Sequence, residues 1–145
     1  MDFRDFLNLA NTLVNGAREG EWRTAISRAY YAAFHVAREL LVDLNFRVPH
    51  ADRAHGYLWL RLANAGHVDV QEAGNRLNAL RRERNRADYD AHVSVNQSIT
   101  RNHVQRAEEI IQALDAAAIE PVRTQITDAM KIYERDVLRD VTWHP

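Results

Sequence analysis

Residues 81–92 read RRERNRADYDAH, which sets the guanidinium groups of Arg81, Arg82, Arg84 and Arg86 ahead of Tyr89 and His92. A guanidinium offers a planar fork of donors that fits the oxygens of a phosphate. An imidazole titrates near neutrality and can take up or release a proton there. A phenol can hydrogen-bond a phosphate, but its pKa near ~10 makes it a poor base at neutral pH. The run therefore suits anion recognition beside an acid–base step. Helical phase sorts its members. Leu77, Leu80, Arg84, Ala87 and Asp88 share one face, whereas Arg82 and Arg86 point away from it. Arg84 is expected to point inward with Asp88, one turn on, as its ion partner, because an inward arginine is expensive unless paired. Spacing alone favours a buried pair that fixes helix packing over a reactive group.

Other chemistries fail on spacing. There is no cysteine, which removes disulfides and thiolate metal sites. None of the nine glutamates has a histidine three positions on, so the ligand pattern of a di-iron bundle is missing. His50 and His55, five apart, would not share a helix face as zinc ligands do. No glycine-rich phosphate loop occurs. Ser27 and His35 would lie about 12 Å apart along one helix, too far for a nucleophile and its base. No metal ion and no cofactor is expected.

These groups must be positioned by helices. The stretch Trp22 to Leu44 contains no Gly or Pro and is rich in Ala and Leu, so it should form the central one. Trp22, Ile26, Tyr30, Ala33, Ala37, Leu40, Leu41 and Leu44 make one apolar stripe. A second stripe, Ser27, Tyr31, Phe34 and Arg38 with His35 beside it, mixes aromatic rings with hydrogen-bonding groups. Only a strip around Arg28 and Glu39 reads as solvated.

Before it, Phe3, Phe6, Leu7, Ala10, Leu13 and Val14 define a first amphipathic helix with Asp2 as N-cap. A third helix is expected over about Ala54–Ala65, ended by Gly66. Asp69 should cap a fourth carrying Val70, Ala73, Leu77 and Leu80 inward. Ser94 and Gln97 have capping-box spacing for a fifth, with Ile99, Val104, Ala107, Ile110, Ile111 and Leu114 on its core face. Pro121 either opens a sixth helix or kinks the fifth, and Ile126, Met130, Tyr133, Val137 and Leu138 give that segment its apolar side. No segment alternates with period two, so the fold class is all-α, a bundle of about five helices.

The chain has 145 residues, the size of one domain that buries about two thirds of its unfolded surface. A net charge of −1 with 27% charged residues gives no global basic field for nucleic acid. Eighteen arginines against one lysine suit phosphate recognition, although a compositional bias of the genome explains the ratio more simply. Charged residues at Asp2, Arg4 and Asp5, and no apolar run longer than Ala29–Phe34, leave no signal for export or membrane insertion. A cytoplasmic location is expected.

The phrase SRAYYAAFHVARELL (Ser27–Leu41), then His55-Gly56 opening a short helix, then RNRADYD (Arg84–Asp90), resembles the HEPN family over about residues 1–115. Residues 116–145 would form a helical extension within a single domain. The resemblance implies an up-and-down helical bundle that dimerises. It also implies metal-independent endoribonuclease activity, often as a toxin whose antitoxin is a small nucleotidyltransferase. The alternative is a non-catalytic helical partner, or nucleotide-binding subunit, of a nucleotidyltransferase. The family's active motif is Arg followed by a polar residue and then His, with four to six residues between Arg and His. Here Arg84-Asn85 makes the right start, yet seven residues separate Arg84 from His92. Arg86 stands at a fitting spacing from His92, and Tyr89 occupies the place a four-residue spacing from Arg84 would give to histidine. On this resemblance Arg84, Asp88, Tyr89 and His92 are the candidate catalytic residues. Arg81, Asn85, Arg86, Tyr31 and His35 are the candidate contacts to RNA or nucleotide.

Overall fold

The computed structural model describes residues 1–145. It contains α1 (Asp5–Leu13), α2 (Glu19–Asp43), α3 (Arg53–Ala63), α4 (Val68–Tyr89), α5 (Gln97–Ala117) and α6 (Val122–Tyr133), followed by a π-helical turn over Glu134–Leu138. α2 is the central helix and packs against α1, α4 and α5. Its small residues explain how: Ala25, Ala29, Ala32, Ala33 and Ala37 are all fully buried, which lets neighbouring backbones approach closely. Ile26, Tyr30 and Leu41 fill the gaps between them, and such fully buried side chains contribute about 1.5–3 kcal/mol each.

The second stripe of α2 is largely covered within one chain. Ser27 and Phe34 are buried, while Tyr31, His35 and Arg38 are half-buried. Arg28, expected in water, instead lies across two rings, its Cζ 5.0 Å from the Phe6 centroid and 5.6 Å from that of Tyr31. The aliphatic stem and flat head of arginine make this arrangement favourable next to half-buried aromatic faces.

Three expected caps are replaced. Asp2 accepts from the Arg4 N–H at 2.9 Å, and α1 starts only after Arg4. Asp69 sits inside the first turn of α4, behind an extended His67, where its charge still favours the positive end of the helix. Ser94 is not used, because Asn96 has the extended backbone of an N-cap and its side-chain oxygen accepts from Ile99 N–H at 2.8 Å. Gln97 is thereby released to reach the Val14 carbonyl at 2.9 Å. Ile99 falls in the first turn, beyond the core, and remains 45% exposed, with Thr100 buried in its place.

Two glycines are required by geometry. Gly66, at φ +71°, turns the chain from α3 to α4 in a left-handed conformation. A Cβ on Gly74 would stand 2.5 Å from the Ala63 nitrogen, so the α3–α4 crossing depends on its absence.

Pro121 opens a separate helix, giving six in all. The register then changes: the π-helical turn leaves Val137 66% exposed, against the expectation of a core position, and buries Glu134 completely. Its carboxylate accepts from Arg61 Nε at 2.8 Å and from the Thr142 and Trp143 N–H groups at 2.9 and 3.0 Å. Arg61, 3% exposed, also lies over the Tyr57 ring at 3.5 Å. Trp143 donates from Nε1 to the Leu44 carbonyl at 2.9 Å. Residues 139–145 are thus laid across the end of α2.

Candidate functional site

α2 and α4 cross so that Tyr30 and Tyr31 face the Arg84 side of α4. Arg84 is 7% exposed, its Cζ 5.4 Å from the Tyr30 ring centroid and 5.1 Å from that of Tyr31. The expected ion pair exists in loose form. Arg84 Nη1 is 3.8 Å from Asp88 Oδ2, and the Asp88 side chain is 28% exposed, so the pair is open to water on one side. Asp88 also accepts from Ser27 Oγ at 3.2 Å. Arg84 Nε is buried and has no acceptor, and the same holds for Arg81 Nε.

Behind the tyrosines, the first turn of α3 supplies His55, which sequence reading left without a role. It is 5% exposed, and its Nδ1 is hydrogen-bonded to the buried Tyr30 hydroxyl. Burial, reinforced by the positive charges of Arg81 and Arg84, pushes the His55 pKa down to about 4. Burial raises that of Tyr30, with the two arginines pulling the other way. Both arginines are therefore electrically close to the Tyr30–His55 pair.

A groove of about 750 Å³ opens beside this cluster, lined among others by Phe3, Tyr31, Phe34, His35, His50 and His55. His35 stacks on Phe3 with centroids 3.7 Å apart and planes at 11°. Burial and then the neighbouring Arg38 hold its pKa below the ordinary value.

The structure brings together Arg81, Arg84, Asp88 and Tyr31, with His35 further along the groove. It leaves Asn85, Arg86, Tyr89 and His92 on the solvent side. Tyr89 is 79% exposed, and the Arg86 side chain pairs only with Glu83, at 3.4 Å. The His92 N–H is bound to Asp90 Oδ1 at 3.0 Å. A residue not singled out from the sequence, Arg23, fixes this end of α4. Its Nη1 donates to the carbonyls of Arg86, Ala87 and Asp90 at 3.3, 3.0 and 2.9 Å, and its Nη2 donates to that of Val93. Glu19 continues the clamp, accepting from Arg23 Nη2 at 3.0 Å and from Val95 N–H at 3.2 Å.

This helical architecture agrees with comparison to known families. A family model described as the HEPN domain matches residues 4–117, and the chain belongs to that family. The match stops at the end of α5, so α6 and residues 134–145 lie outside it. No curated protein and no solved structure matches the chain. No helix is long and apolar enough to cross a membrane.

Proposed function

We propose that this HEPN-family protein binds RNA through its phosphates at the junction of α2, α3 and α4, acts as a homodimer, and cleaves the bound strand. The observation that supports this most is the state of two arginines. Arg81 and Arg84 each bury an Nε with no acceptor, and Arg81 forms no ion pair at all within the chain. A buried unpaired donor costs about 1–3 kcal/mol, and a phosphate oxygen is the acceptor that guanidinium geometry fits. With a net charge of only −1, the attraction has to be local.

The roles follow the chemistry of the groups. Arg84, steered by the two tyrosine rings, with Arg81 beside it, stabilises the negative charge that builds on the non-bridging oxygens of the phosphorane. His92 exchanges a proton with the attacking 2′-hydroxyl or the leaving oxygen. Tyr89 and His92 stand exposed around the end of α4, free to meet a second copy. None of these steps uses a metal ion, so cleavage should persist in EDTA.

Fluorescence anisotropy with a labelled single-stranded RNA, read alongside cleavage in EDTA, tests the reading. Arg84→Ala in folded protein should weaken binding by about tenfold or more, as expected for a lost charge-assisted hydrogen bond, and Arg86→Ala by far less. A wild-type protein that neither retains nor cuts RNA at low salt would remove the proposal.

A further inference from the structure

Tyr30 is 1% exposed and its hydroxyl has one partner, His55 Nδ1. A phenol is a good donor, and a buried one must place its proton on an acceptor. Nδ1 is the acceptor within reach, so the Tyr30 O–H donates, the Nδ1 lone pair accepts, and the ring's own proton resides on Nε2. Protonating Nδ1 as well would set two donors against each other in a buried place. Nε2 makes no hydrogen bond inside the protein, while the ring forms part of the groove wall beside Tyr31 and His35.

We infer that His55 is an uncharged, tautomer-fixed hydrogen-bond donor that presents Nε2–H to a phosphodiester oxygen of the strand, with Tyr30 as its positioning residue. The inference rests on the RNA reading above and names a ligand contact that the Arg/His motif does not contain. The surrounding charges suit it. Arg81 and Arg84 from α4 act on the imidazole, opposed by the single carboxylate of Asp52 before α3. Tyr30 and Tyr31 from α2 pack against the ring, with centroids at 5.6 and 6.3 Å. A third positive charge here would be repelled by the two arginines. A neutral imidazole adds a directional contact to the anion without that repulsion.

The experiment uses the full chain with ¹⁵N-labelled histidine and a 2′-deoxy dinucleoside monophosphate as probe, which lacks the attacking hydroxyl and whose single phosphodiester charge does not titrate between pH 5 and 8. At pH 7 the His55 nitrogens should report Nε2–H with an unprotonated Nδ1, and that pattern should persist to pH 5. Adding the probe should move the Nε2 resonance. Tyr30→Phe should lose the fixed tautomer while remaining folded. His55→Gln, which keeps a donor near the Nε2 position, should hold the probe within a few-fold of wild type, whereas His55→Leu should lose about tenfold. An Nδ1–H tautomer or an imidazolium at pH 7 would overturn the inference without any variant. Equal probe binding by wild type and His55→Leu, with binding still lost in Arg84→Ala, would remove His55 and leave the arginine site standing. A protein that binds no RNA and no probe would overturn both.

Discussion

Arg84 carries two burdens that a single substitution can separate. Its head lies against two tyrosine rings and within reach of one half-open carboxylate. Because Asp88 keeps water on one side and a hydrogen bond from Ser27, removing the arginine does not strand a dry charge. Arg84→Ala should therefore cost about 1–3 kcal/mol, from lost ring contacts and packing, and less than a sealed ion pair would. Arg86→Ala, on an exposed surface, should stay within ~0.5 kcal/mol. Thermal unfolding of both variants checks this, and a collapse of Arg84→Ala would mark the residue as a structural pillar. His92→Ala should leave the thermal midpoint unchanged and slow cleavage; wild-type cleavage by that variant would remove His92 as acid or base. Sequence reading could place Arg84 because helical phase is written in side-chain identity: Leu77 and Leu80 define a face that Arg84 continues. It could not find the Tyr30–His55 pair, since those residues come from different helices and only tertiary packing joins them.

At the scale of elements, α4 and α2 are joined by more than apolar contact. The Arg23 guanidinium gathers carbonyls from the last turn of α4 and the turn after it, oxygens that a helix end otherwise leaves to water. Arg23→Gln cannot span four such acceptors. It should fray the end of α4 and lower stability by about 1–3 kcal/mol, seen as faster amide exchange at Ala87–Asp90 with the core of α5 unaffected. Slow exchange at those amides would show the clamp to be dispensable. This clamp was illegible beforehand because its acceptors are main-chain oxygens, alike at every residue. The helices themselves were legible from period and breaks, down to the inward set of α4. Their caps were less so: Ser94, Asn96 and Gln97 offer competing polar groups, and local backbone geometry chose Asn96. The π-helical turn defeated extrapolation of a 3.6-residue period past Tyr133, so Val137 and Glu134 exchanged surroundings.

For the whole molecule, assembly and pH response are the quantities to measure. A homodimer is expected, with Tyr89 among the residues it covers, and light scattering at micromolar concentration that showed a monomer would refute it. The mixed stripe of α2 does not call for a partner, since Ser27 and Phe34 are buried within one chain; the exposed Tyr89 and membership of the HEPN family support the dimer. Stability should fall in acid through Glu134. Burial pushes this carboxyl up, but the hydrogen bonds from Thr142, Arg61 and Trp143 outweigh it and hold the pKa below the ordinary 4.5. A group depressed in the folded state stabilises above its unfolded pKa and loses that contribution as pH falls through the folded value. The thermal midpoint should therefore drop below about pH 4.5, and Glu134→Ala should cost about 3–5 kcal/mol at neutral pH by leaving Arg61 buried alone. A Glu134→Ala midpoint equal to wild type would dissolve the role of the pair.

The same carboxylate gives residues 142–143 an unusual clock. Segments outside regular helices ordinarily open and reclose many times before the core does, and their amide hydrogens are replaced by solvent deuterium within moments. Here the Thr142 and Trp143 amides end on Glu134 Oε1, whose other oxygen neutralises Arg61. Lifting this segment off exposes a charged pair that was sealed from water and frees the Trp143 indole from Leu44. These two hydrogens should exchange on the timescale of α2 and not of the surface. Deuterium uptake complete within seconds at neutral pH would mean the segment moves independently of the bundle it crosses.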